Sequence, residues 1–194
     1  MEIGATKAVQ DRLKTTKIEE SKGASLVFCW DTHLTKIKGR NVLFIVNASN
    51  RYTIAMTDIE PRNWNYYTMY ISRVIHGVLQ EMGYSEDQIG QYFKMSGDTT
   101  VTKTHGRKSV GGINRMVMDA QYFGKKLEKE AKYQWELSEY LNRDICQPEG
   151  FDAYGYPSEL FKLDMERLGI AAKRKPAKII DFTKYIDTNR STNH

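Results

Sequence analysis

The chain has 194 residues, 40% of them hydrophobic and 27% charged, with a formal net charge of +5. That is the composition of an ordinary globular chain large enough for a core of its own, and it excludes a low-complexity polymer. No apolar run is long enough to span a bilayer, and residues 1–6 lack the basic and apolar regions of a secretory signal, so no membrane contact and a cytoplasmic location are expected. Cys29 and Cys146 are the only cysteines and lie far apart, which fits two buried thiols in a reducing compartment rather than a disulfide scaffold. The mild positive balance permits attraction to nucleic acid or to an acidic protein.

In chain order, residues 1–14 read as a short strand and a helix that Thr6 caps, with Val9 and Leu13 on one face. "LVFCW" (26–30) and the continuous run "NVLFIVN" (41–47) read as strands, the second central and covered on both faces. "HLTKIKG" (33–39) supplies an edge strand. "RYTIAMT" (51–57) follows the turn "NASN" and closes a hairpin with the central strand. Pro61 opens a helix whose Trp64, Tyr67, Ile71, Val74, Ile75, Val78 and Met82 form a core-facing stripe. "SEDQIGQYF" (85–93) carries a capping-box start at Ser85. "TTVTKT" (99–104) alternates as a strand. Apolar residues spaced three and four apart predict one long helix over 113–145, and Ser158–Gly169 predicts a short amphipathic one. The reading is an α+β fold: a mixed, mostly antiparallel sheet backed by helices. A core domain spans 1–146 and a helical C-terminal extension and tail 147–194, docked by Ile179, Ile180 and Phe182.

The stretch "TVTKTHGRKSVGGINRM" (101–117) concentrates chemistry. It lacks the glycine and lysine positions of a P-loop. It places Lys103, Arg107, Lys108 and Arg115 around a predicted helix start, where backbone N–H groups of 111–114 would face an anion. Two readings stand: a phosphate contact, or an exposed basic turn. Lys173 and Arg174 in the run "KRKPAK" add a second basic patch. His105 is the acid–base candidate, with its pKa lowered by Lys103 and Arg107; Glu149, Asp152 and Tyr154 form a second catalytic candidate set on one loop, or serve only as caps and turn formers. Tyr66, Met69, Arg73 and His76 share the outer face of the Pro61 helix. Tyr, Met and Arg favour interfaces, so this face binds a partner or packs beneath the C-terminal extension. The four histidines show no metal-ligand spacing, so no metal and no cofactor are expected.

"IGATK", "NVLFIVNASNRYTI" and "TKTHGRKSVGGIN" together resemble a family of small uncharacterised bacterial proteins of phages, plasmids and genome islands, over roughly residues 1–120. The resemblance carries no catalytic residues. Its setting implies a counter-defence role similar to that of anti-CRISPR proteins. The expected function is therefore a mobile-element protein that binds RNA, DNA or a ribonucleoprotein through the basic turn and inhibits a host defence protein such as a guide-RNA effector. The alternatives are a metal-independent ribonuclease and a protein-interaction module without nucleic-acid contact.

Overall fold

The computed structural model describes residues 1–15 and 18–173. One sheet runs in the order β4-β3-β2-β1-β5, with strands β1 (Glu2–Ala5), β2 (Cys29–Ile37), β3 (Arg40–Asn47), β4 (Thr53–Thr57) and β5 (Thr100–Thr102). β2, β3 and β4 form an antiparallel meander, and β1 lies parallel to both of its neighbours. The described helices are α1 (Lys7–Leu13), α2 (Pro61–Asn65), α3 (Tyr67–Glu81), α4 (Glu86–Ser96), α5 (Gly106–Gln121), α6 (Trp135–Asn142) and α7 (Pro157–Arg167). This is the α+β architecture expected, and no described helix is long and apolar enough to cross a membrane.

Helices cover both faces of the sheet. Leu43 and Ile45 of β3 pack toward α1, α3, α4 and α7, while Val42, Phe44 and Val46 pack toward α5 and α6. Alternate residues of β3 thus feed two cores, which is why its sequence is apolar without interruption. α7 belongs to the first core: Phe161 and Met165 are fully buried there with Ile170. Burial of each such side chain contributes about 1.5–3 kcal/mol. Asn50 in the hairpin turn donates to Asp164 at 2.9 Å, and the Gly150 N–H donates to the Ser49 carbonyl at 2.9 Å. Residues 150–170 are therefore stitched to the sheet.

Three local expectations are corrected. "HLTKIKG" is not a separate strand: His33–Ile37 continue β2 along β3, past the end of its pairing with β1 at Thr32, and residues 38–39 form the turn into β3. Leu26–Phe28 is a 3₁₀ turn, and the strand begins at Cys29. The single helix expected over 113–145 is α5 and α6 joined by an irregular segment. α5 itself starts seven residues earlier than the glycine pair implied, so Gly111 and Gly112 sit inside it. The break has a physical cause. The buried Gln134 side chain receives the Glu128 N–H at 2.8 Å and donates to Thr57 at 3.0 Å, while the Thr57 N–H reaches the Lys132 carbonyl at 2.7 Å. These bonds tie the chain back to β4 where helical periodicity alone would run straight on.

Candidate functional site

The first turn of α5 is built on a buried charge network. Glu2 and Cys29 are direct partners across the β1–β2 ladder, and Asp31 lies two residues further along β2. His105, the residue preceding α5, sits above them with a side chain only 3% exposed. Its Nδ1 stands 2.7 Å from Asp31 Oδ1 and its Nε2 stands 3.0 Å from Glu2 Oε2. The His105 backbone N–H reaches both Asp31 oxygens at 3.2 Å, and the Ser109 hydroxyl donates to the same carboxylate. The anion at this helix N-terminus is thus the protein's own Asp31, placed where the helix dipole favours negative charge.

Glu2 is satisfied from the other side by the Ser21 hydroxyl at 2.6 Å and the Lys22 N–H at 2.9 Å. Burial acts to raise its pKa, but these hydrogen bonds and His105 hold it below the usual carboxylate range. Burial alone would lower the His105 pKa. Hydrogen bonds to Asp31 and Cys29 outweigh it and push the imidazole up to about 10. The lowering expected from Lys103 and Arg107 is corrected: those side chains are exposed, whereas the carboxylates touch the ring. Gly4 makes the assembly possible, because a Cβ there would lie 1.8 Å from Asp31 Oδ1.

The outer surface of α5 is different. Among the described residues, neither Arg107 nor Lys108 has an ionic partner, and both are exposed. Arg115 pairs with Asp119 at 3.1 Å one turn on, and Lys103 pairs with Glu20. A cleft of about 250 Å³ opens between α5 and the loop at 147–149, lined by Arg51, Lys108, Arg115 and Glu149 with Gly111 and Gly112. At Gly111 an added Cβ would meet nothing within 4 Å, so the helix backbone itself is open there. Arg51 leans over the second glycine and donates to the Gly112 carbonyl at 3.2 Å. The N–H groups of 111–114 are not free for an anion as the sequence reading had them, because these residues lie within the helix.

Residues 2–160 match the family described as a domain of unknown function, DUF6933. The chain belongs to the DUF6933 family. No curated protein and no solved structure matches the chain. The DUF6933 match takes in every residue of the buried network and of the cleft, and it fits the expectation of an uncharacterised family.

Within the DUF6933 region the other predicted site residues are dispersed. Glu149 faces the cleft cations, while Asp152 and Tyr154 are exposed further along the loop, Tyr154 by 71%. None of the three is among the hydrogen-bond partners of His105. Tyr66 and Met69, 64% and 44% exposed, line a groove with Trp64, Leu13 and Ile18. Arg73 is exposed, and His76 bonds Glu86 at 3.2 Å. Lys173 is exposed beyond the matched region. Arg174 and the docking residues Ile179, Ile180 and Phe182 lie outside the described residues. Sequence reasoning missed Glu2, Cys29, Asp31, Ser109 and Arg51. The one usable signal was an acid at the start of a short strand that is otherwise apolar.

Proposed function

We propose that the protein binds a nucleic-acid phosphate backbone through the cleft beside α5. The observation that carries this reading is the convergence of Arg51, Lys108 and Arg115 around the helix backbone at Gly111, which is open, and Gly112, over which Arg51 lies. Arg51, Lys108 and Arg115 face one cleft carboxylate, Glu149; Arg115 is also paired with Asp119, while Lys108 and the neighbouring Arg107 have no ionic partner among the described residues. Arginine forks and a lysine ammonium suit phosphate oxygens, and a helix surface without side chains lets a backbone approach closely. Contacts of this kind carry affinity rather than sequence preference.

The test is fluorescence anisotropy of labelled single-stranded RNA and of duplex DNA over a range of salt. Replacing Lys108 and Arg115 together by alanine is expected to weaken binding and to reduce the slope of log K against log salt by about 1.5. An unchanged affinity and slope sinks the reading. The ribonuclease alternative draws less support, because an acid–base group must reach the proton it transfers and the His105 side chain is 3% exposed. The finer reading, a mobile-element protein that inhibits a guide-RNA effector, rests on the kind of family the opening motifs resemble. Cleavage by such an effector, assayed with and without the protein, tests it; equal cleavage removes it.

A further inference from the structure

Three side chains of metal-binding type, separated by up to 103 positions in the chain, meet beneath α5. A Glu2 carboxylate oxygen, the Cys29 sulfur and a His105 ring nitrogen all lie within 4.8 Å of one another, and all three residues are buried. Their placement is rigid. Glu2 and Cys29 are paired residues of adjacent parallel strands, so the sheet itself sets their separation. His105 is fixed from behind: Nδ1 is held at 2.7 Å by Asp31, which is in turn held by the His105 N–H and by Ser109. That leaves Nε2 directed at Glu2, with the Cys29 sulfur beside the pair. A carboxylate behind one ring nitrogen while the other faces outward is the arrangement that orients metal-bound histidines.

We infer that Glu2, Cys29 and His105 form a site for a divalent transition metal of the zinc class, with Asp31 as the carboxylate that orients the histidine. The donor set decides the class. A thiolate with an imidazole selects zinc-like ions over magnesium or calcium, which take oxygen ligands. The distances are compatible, since donor atoms around a tetrahedral zinc stand about 3.3–3.8 Å apart. Nε2 and Oε2, now 3.0 Å apart, need only separate slightly, and the remaining distances close by about 1 Å. Binding displaces the Nε2 proton and the thiol proton. Three protein ligands leave a fourth position for a water molecule. Such an ion ties the start of α5 to two central strands. This inference does not depend on the phosphate reading.

The experiment is cobalt titration of the full chain after removal of metal by chelator and under reducing, anaerobic conditions. A thiolate-to-cobalt charge-transfer band in the near ultraviolet is expected, saturating at one equivalent. Cys29→Ser abolishes the band and Cys146→Ser retains it. Glu2→Gln keeps the band but weakens cobalt binding at least tenfold. Zinc is expected to raise the melting temperature of the wild-type chain by about 5 °C and to leave Cys29→Ser unmoved. The wild-type titration decides even if a variant does not fold: absence of a thiolate band at stoichiometric cobalt overturns the site. A band that disappears in Cys146→Ser rather than in Cys29→Ser overturns it equally.

Discussion

His105 and Arg107 stand two positions apart and illustrate opposite uses of charge. The first is wedged between Glu2 and Asp31 under the helix start, while the second projects into solvent beside Lys108. Read along the chain, both belong to one basic run. In space, the buried half has already consumed its partners and the exposed half retains its capacity for a ligand. A charge cluster in sequence is therefore two different objects once burial is assigned: one that holds β1, β2 and α5 together, and one whose cations stay in solvent.

The sharpest way to break this contrast is Gly4→Ala. The new methyl would occupy the space of the Asp31 carboxylate, and the cost of disrupting a buried ion pair is about 3–5 kcal/mol. For a chain of this size the melting temperature is expected to drop by about 10 °C or more in a thermal scan. Asp31→Asn is a milder blow to the same network. It keeps the shape but leaves His105 without its closest charge partner, and a loss of about 3 kcal/mol in denaturant unfolding is expected. Gly4→Ala or Asp31→Asn that left stability unchanged would show that the network contributes nothing.

A third prediction concerns pH, measured with chelator present. The folded chain keeps the His105 proton up to about pH 10, whereas an unfolded chain releases it near 6.5. The stabilisation is therefore complete below about pH 6.5 and is lost as pH rises toward 10. The expected slope is up to about 1.4 kcal/mol per pH unit for one proton. His105→Gln should flatten that part of the profile, and a wild-type profile with no fall over this window contradicts the raised pKa. The smallest effect on stability is expected outside the network. Lys108→Ala with Arg115→Ala should change unfolding free energy by about 0.5 kcal/mol or less, since surface charges contribute little. The same double variant should still lose salt-dependent nucleic-acid binding. If it loses stability instead, the division between buried and exposed halves fails.

Much of the fold was legible. The capping box at Ser85 and Gln88 forms as its residue types predict, and the uninterrupted run of β3 is covered on both faces. What escaped was set by tertiary contact. The apolar spacing from 113 to 145 is real in part: Ile113, Ala120, Leu127 and Leu141 share one core, but Trp135 and Ile145 are exposed. Yet the hydrogen bonds of Gln134 to its own loop and to β4 break the helix, and no periodicity encodes them. The candidate site was half legible for the same reason. Arg107 and Lys108 announce an exposed basic turn, but Glu2 and Asp31 lie 103 and 74 positions from His105 and only the sheet brings them near.

The place of β1 in the sheet has a consequence for how the chain acquires its structure. This first strand pairs with β2 on one side and with β5 on the other, where Glu2 lies opposite Thr100, nearly a hundred positions away. During synthesis at ordinary rates, β5 emerges about 5–20 s after β1. Through that interval one edge of β1 has no strand beside it, and Glu2 and Asp31 have no imidazole between them. Long-range parallel pairing is slow to form because loop closure must precede it. β1 is thus among the last elements to be locked, and the arrival of residues 100–109 completes the sheet edge and the charge network in one step.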